Sequence, residues 1–294
     1  MTRGRWQAAA VLAALLLALP LTAPAADHLL AVTWHPTRAH PGDVAWVHVR
    51  GASEAATVEG SLGPRTLVFF PYAGGQAAVV GVDVESKAGP QPWRLAVVEP
   101  GRDPRTLSGR LTIHKRDFPV QRLTLPPGMV DLDPETERRA VAEGERLATI
   151  YRTVTPERLW RGPFVRPVAG QEPPTGFGAR RVINGKPRAP HSGTDYAAAR
   201  GTPVVAANGG RVALVADFFF PGRLVVLDHG LGVYTLYFHL DTVAVGDGDG
   251  VDRGQILGTV GATGRATGPH LHFGALIGGA RVDPAALMTL TIRE

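Results

Sequence analysis

The sequence predicts a mainly β protein: an antiparallel, sandwich-like N-terminal domain, a short helical linker, and a compact antiparallel β domain at the C-terminal end. Three observations carry that prediction. Short apolar runs rich in β-branched residues recur in both halves, separated by Gly and Pro turns. The 36 Gly and 25 Pro are spread along all 294 residues, which suits turn-rich sheets and opposes a helical bundle or a low-complexity polymer. The segment at Asp133-Pro134 opens like a helix, and no long helix is expected to interrupt the strands that follow. The boundaries that follow are 1–25 for a targeting segment, 26–118 for the N-terminal domain, 119–160 for the linker and 161–294 for the C-terminal domain.

Residues 1–25 have the form of a cleaved export signal. Arg3 and Arg5 precede the apolar stretch Ala8 to Leu19, and Ala23-Pro24-Ala25 is a small-residue cleavage site. The apolar core is short for a membrane anchor, so no stable membrane span is expected after cleavage. In the N-terminal domain, Asp43 to Val49, Thr66 to Phe70, Ala77 to Val84, Trp93 to Val98 and Leu107 to Ile113 read as strands. Pro41-Gly42, Gly63-Pro64, Ala73-Gly74-Gly75, Gly89-Pro90 and Pro100-Gly101 supply the turns. The linker helix starts with Asp133 as N-cap and Pro134 in the first turn, with Glu135 and Glu137 suited to the helix dipole. Val141, Leu147, Ala148 and Tyr151 are expected to share its packed face. Beyond a proline-rich lead-in from Arg161 to Phe177, strands are expected at Pro203 to Ala206, Gly210 to Ala216, Arg223 to Asp228, Val233 to Leu240, Gln255 to Val260 and His270 to Ala275.

The charge and cysteine count narrow the class. The formal charge is +5, and removing residues 1–25 takes two arginines and no acid, leaving +3. That mild excess suits an anionic envelope polymer and gives no ground for a nucleic-acid partner. There is no cysteine, so the exported chain has no disulfide and no thiolate ligand, and any metal must be held by His, Asp or Glu.

The candidate site residues are concentrated in the C-terminal half, which holds five of the ten histidines. His270 and His272 lie two apart in an expected strand, on one face, with Leu271 and Phe273 on the other. Two imidazoles side by side suggest a metal, though strand geometry assigns them equal roles. His191 and Asp195 flank Gly193, and Pro190 and Gly193 oppose a helix here. In a flat strand they would sit about 13 Å apart, so sharing a metal requires a kink at Gly193. His239 is expected to end the strand from Val233 and to share a face with Tyr237 and Thr235, whereas His229 falls in a hairpin turn and reads as structural. His28, His35, His40, His48 and His114 form no ligand-like group.

Taken in order, Phe177-Gly178-Ala179-Arg180, His191-Ser192-Gly193-Thr194-Asp195, Asp228-His229-Gly230, Tyr237-Phe238-His239-Leu240, Gly261-Ala262-Thr263-Gly264 and Thr267-Gly268-Pro269-His270-Leu271-His272-Phe273 resemble the zinc metallopeptidases of family M23, the lysostaphin and LytM type. The resemblance covers roughly residues 160–285 and implies several expectations. His191, Asp195 and His272 would bind Zn2+. His239 and His270 would be catalytic, their division of roles left open. The substrate would be peptide cross-links of bacterial peptidoglycan, and the place of action the periplasm or wider cell envelope. Two His and one carboxylate leave a coordination position open, as in catalytic zinc sites. The alternative class is a non-catalytic LytM-type activator of cell-wall amidases, in which ligands are lost; here all five residues are present. Arg180 stands between substrate contact and simple packing. The N-terminal domain stands between positioning the enzyme, binding glycan and covering the zinc groove. Oligomeric state is not legible.

Overall fold

The computed structural model describes residues 29–170, 176–290 and 292. The expected targeting segment, His28 and part of the proline-rich lead-in lie outside these residues. Alternation of side chains builds the N-terminal half into two four-stranded antiparallel sheets. One has the order Ala31–His35, Val44–Arg50, Gly75–Gly81, Phe70–Tyr72 and the other Arg65–Leu67, Thr57–Leu62, Gly89–Val98, Arg105–Ile113. Val47, Val49, Ala78 and Val80 from the first sheet meet Leu95, Val97, Leu111 and Ile113 from the second in one buried cluster. The expected sandwich is therefore present, with two local differences. The run Thr66 to Phe70 is cut in two, and its halves belong to different sheets, with Val68 and Phe69 crossing between them. Thr57–Leu62 is a strand without a clear apolar run, because Gly60 is there for space: a Cβ on it would lie 2.4 Å from Leu95 Cδ2 and 2.6 Å from the Arg94 carbonyl.

The linker contains more than a helix. Val120–Leu123 pairs in parallel with Arg180–Ile183, which in turn pairs with Lys186–Pro187. The helix runs Pro134–Arg152, and the Asp133 carboxylate accepts from the backbone N–H groups of Glu135 and Thr136 as the sequence leads one to expect. Its packed face differs from the expected one. Leu147, Ile150 and Tyr151 press on Leu214, Phe218, Leu224, Val226, Tyr234, Leu236 and Leu276, whereas Val141 is 55% exposed. Only the last turns of the helix reach the apolar sheet. The earlier turns are held by polar contacts, the Phe219 N–H donating to Glu143 (2.7 Å) and Arg139 donating to the Asp217 carbonyl (3.3 Å).

The C-terminal sheet has the order Gly193–Tyr196, Leu271–Ile277, Val233–Val243, Gly222–Asp228, Gly210–Phe218, Gly250–Val251. Pro203–Val205 pairs with Ile256–Val260, which joins Val233–Val243, and Ala280–Val282 joins Leu271–Ile277. Period-2 alternation buries both faces: Leu224 and Val226 lie under the helix, and Val225 and Leu227 belong to the main core with Tyr196, Tyr237, Leu257 and Phe273. That core includes Val44, Phe70, Ala77 and Val79 from the N-terminal half. The contact is close, since a Cβ on Gly81 would come within 2.7 Å of Ala280 Cβ. Arg281 forks onto Asp83 (2.8 and 3.1 Å), and Arg116 pairs with Asp283 (2.9 Å). Among the described residues no helix is long and apolar enough to cross a membrane.

Candidate metal centre

Strand register assembles the centre. Asp195 lies directly opposite His272 on one side, and Phe238 lies opposite His272 on the other. His191 precedes its strand by two residues and is pinned by backbone hydrogen bonds, its N–H to the Ala179 carbonyl and the Gly178 N–H to its own carbonyl. The result is a tight triangle: His191 Nε2 to Asp195 Oδ1 is 3.1 Å, His272 Nδ1 to Asp195 Oδ1 is 2.9 Å, and His191 Nε2 to His272 Nδ1 is 2.9 Å. The predicted kink at Gly193 takes another form. Gly193 opens the strand without a left-handed φ, and His191 lies ahead of it, outside the strand. The glycine serves close approach instead: a Cβ there would lie 2.7 Å from His272 Nε2 and 2.5 Å from the Phe273 carbonyl.

Hydrogen bonding sets which nitrogen faces inward. His191 Nδ1 lies 3.0 Å from the Gly176 carbonyl; donating its proton there leaves the Nε2 lone pair directed at Asp195 and His272. Burial by itself would raise the Asp195 carboxyl, but pairing with His191 and His272 outweighs it and holds the group well below the carboxylate range. Burial also lowers the His272 imidazole, ahead of the opposing pull of Asp195. Neutral imidazole and ionised carboxylate are the forms that bind metal. Two nitrogens and one oxygen, all within 4.8 Å of one another, form a donor set that fits a zinc-type cation with room for further ligands. Asp195 keeps 33% of its side chain accessible, which provides the opening.

His239 and His270 stand beside this triangle. The strand does not end at His239; it continues to Val243, and His239 sits in a β-bulge with φ 63°. Arg223 pairs with Leu240 and Val225 with Tyr237, so Phe238 and His239 together oppose Leu224. The bulge separates His239 from the face of Tyr237 and Thr235, correcting the sequence expectation. Tyr237 points into the core against Phe273 (5.3 Å), whereas the His239 ring lies 4.7 Å from His270 and 6.2 Å from His272. Phe238 stacks on His272 at 5.3 Å and 15°. His239 Nδ1 donates to the Thr263 carbonyl (2.8 Å) and His270 Nδ1 to the Gly268 carbonyl (2.8 Å), so each leaves Nε2 free as an acceptor. Burial, then the neighbouring His270 and His272, push His239 down to about 4. His270 precedes the strand proper, which starts at Leu271; it forms an isolated bridge with Gly261, and its Nε2 is 3.9 Å from Asp195.

His229 is remote from the centre. It is fully buried between the Gly209 carbonyl and Thr235 Oγ1, at 2.7 Å from each. Arg181, unremarked in the sequence reading, brings its guanidinium to 3.9 Å from Asp195 Oδ2, while Arg180 is exposed. Strand alternation could have signalled that only one of these two arginines faces the centre, but the register deciding which comes from pairing with Val120–Leu123.

Comparison with known proteins gives a consistent picture. Residues 189–284 match Peptidase family M23, a span that contains His191, Asp195, His239, His270 and His272. Peptidoglycan DD-endopeptidase ShyA of Vibrio cholerae is 43% identical over 95 residues, 32% of this chain and 22% of the relative. Peptidoglycan DD-endopeptidase ShyC of the same organism is 38% identical over 130 residues, 43% of this chain and 30% of the relative. The chain thus matches less than a third of the length of these curated relatives. A crystal structure from Pseudomonas aeruginosa, assigned to peptidase M23, superposes with a TM-score of 0.66 at 31% identity, covering 84% of this chain and 94% of that one.

Proposed function

The chain belongs to peptidase family M23, and from that premise we propose that it is a zinc-dependent endopeptidase that hydrolyses peptide cross-links of cell-wall peptidoglycan in the periplasm. The observation that carries the reading is the convergence of His191, Asp195 and His272 on one point, with His239 and His270 beside it. The two Vibrio cholerae relatives named as peptidoglycan DD-endopeptidases support the substrate class.

In this reading His191 Nε2, Asp195 and His272 Nδ1 hold the metal, and the Gly176 carbonyl and the stacked Phe238 ring keep the two imidazoles aimed. Bound there, zinc would supply a water of lowered pKa and polarise the scissile carbonyl. His239, neutral and anchored through Nδ1 to Thr263, offers Nε2 as a proton acceptor. His270 offers the same atom from the other side. Whichever ring takes the first proton becomes a donor, able to stabilise charge developing on the substrate oxygen or to protonate the leaving amine. The N-terminal sandwich, whose residues share the main core, acts in this scheme as a support for the catalytic sheet.

The test is digestion of purified cell wall by residues 26–294, followed by mass spectrometry of the released muropeptides and measurement of bound metal. Cleaved cross-links and about one zinc per chain are expected. His272→Ala should abolish both products and metal while leaving the β-rich circular dichroism. Normal cleavage by that variant would overturn the ligand assignment, and a metal-free wild-type protein that releases nothing would overturn the enzyme reading.

A further inference from the structure

One short loop, Gly261 to Arg265, touches both of the histidines that stand beside the metal centre. The Gly261 carbonyl accepts from the His270 N–H at 3.1 Å, and the Thr263 carbonyl accepts from His239 Nδ1 at 2.8 Å. The two imidazoles, with ring centres 4.7 Å apart, are therefore tied to the same stretch of backbone. Where that stretch lies sets their spacing.

The loop is keyed into the bulge by its one hydroxyl. Thr263 Oγ1 accepts from the Arg223 N–H and donates to the Leu240 carbonyl, at 2.9 Å each. Arg223 and Leu240 are the paired residues that close the bulge around His239. The hydroxyl thus joins an N–H of one strand to a carbonyl of the other, at the step where the extra residue disrupts the ladder. The backbones around it leave no slack. Gly222 and Gly264 have left-handed φ of 64° and 70°, and a Cβ on Gly264 would lie 2.6 Å from the Phe220 carbonyl and 2.7 Å from Gly222 Cα. The Arg265 N–H donates to that same Phe220 carbonyl at 2.9 Å, and its guanidinium lies 4.1 Å over the Phe220 ring. His239 needs such a clamp. Its φ of 63° is one that a residue with a Cβ keeps only when its surroundings impose it, and its own N–H leaves the ladder for the Pro221 carbonyl, 2.8 Å away.

We propose that Thr263 is a positioning residue for the reaction: its hydroxyl fixes the loop on the bulge, and the loop holds His239 and His270 at their working separation with His239 in the Nδ1–H tautomer. The proposal deepens the endopeptidase reading and rests on it for the role of His239 as proton acceptor. Thr263 acts through His239 and is not itself a catalytic group. Without the hydroxyl, the Arg223 N–H and the Leu240 carbonyl lose their shared partner, which is costly for backbone groups in a sheet. The loop then shifts, the Thr263 carbonyl drifts from Nδ1, and the imidazole divides between two tautomers, of which only one presents an Nε2 lone pair. Thr263→Val keeps the branched shape and removes the hydroxyl alone.

The test uses the full mature chain loaded with zinc. Imidazole nitrogen NMR reads the His239 tautomer without turnover, the signal being assigned by its absence from His239→Gln. Wild type should show His239 protonated at Nδ1 alone; an Nε2–H signal in wild type overturns the proposal before any Thr263 variant is made. Thr263→Val should show both tautomers, and Thr263→Ser the wild-type one. On a soluble cross-linked muropeptide, Thr263→Val should lose roughly 10–100-fold in kcat, as a small misplacement of a reacting group does, with KM and zinc affinity within about twofold. Thr263→Ser should recover most of that loss. A thermal melt verifies that both variants are folded. A merely structural hydroxyl would lower the melting temperature of Thr263→Val and leave its tautomer and kcat as in wild type; that result overturns the proposal, and so does a loss confined to KM or to zinc. Cell-wall digestion separates the two levels. A single wild-type tautomer that Thr263→Val disperses, with no muropeptides released by wild type, sinks the endopeptidase reading and leaves the clasp standing. Equal, normal digestion by wild type and Thr263→Val does the reverse.

Discussion

Adding one methyl group, in Gly193→Ala, tests how the centre is held. The new Cβ would stand 2.7 Å from His272 Nε2, 2.8 Å from its Cε1 and 2.5 Å from the Phe273 carbonyl. An ordinary contact begins near 3.4 Å, so the imidazole must withdraw by about 0.7 Å; native packing leaves no such slack. It has little room to do so, because Phe238 stacks on it and the Phe273 carbonyl belongs to the sheet ladder. Metal–ligand distances tolerate only about 0.2 Å, so the ring would lose its ligating position or force the strand apart. The expected cost is a 10–100-fold loss of zinc affinity, about 1.4–2.8 kcal/mol, with overpacking costing the apoprotein about 1–3 kcal/mol of stability. Chelator competition measures the first and denaturant melts in EDTA the second. Gly268→Ala is the matched control, since a Cβ there meets nothing within 4 Å. Zinc affinity within twofold of wild type in Gly193→Ala would refute the close-approach argument.

Two further outcomes follow from the same geometry. His239→Ala should keep the metal, because no ligand is removed, while kcat falls by roughly 10²–10⁴; an equal loss of zinc would move His239 from proton transfer to metal binding. His229 titrates at about 4 in the folded chain, against an ordinary value near 6.5, because it is buried. Below its unfolded pKa the unfolded chain binds a proton that the folded chain does not, so its stabilising contribution is full above about 6.5 and is lost as pH falls towards 4. The loss should be roughly 2 kcal/mol between pH 7 and 5, read from urea midpoints, and His229→Gln should flatten that part of the slope. An unchanged slope in the variant would show that other groups carry the acid sensitivity.

Legibility in the sequence followed how local the cause was. The Asp133 cap and the Asp-Pro opening predicted the helix, because capping depends on a few neighbouring residues. The packed face of that helix is only partly legible: Leu147 and Tyr151 touch the sheet and Val141 does not, since periodicity describes the helix and not the extent of the surface it meets. The ladder between Val120–Leu123 and Arg180–Ile183 carries little local signal, because both strands are only four residues long and mix arginine with aliphatic residues. His229 was readable as structural from its turn; its bonds to Gly209 and Thr235 were not.

By itself, the sequence determined the mainly β class, the positions of most turns and the small set of His and Asp residues from which a metal site could be drawn. Those follow from side-chain alternation and turn chemistry, which act over two to five residues. Tertiary structure alone decided how these residues are arranged in space. His191 and His272 meet across 81 residues of chain, and Asp195 joins them by strand register. One extra residue at the bulge turns His239 away from Tyr237 and towards His270 and His272. A bulge and a register are properties of two strands at once, so no single stretch of sequence contains them.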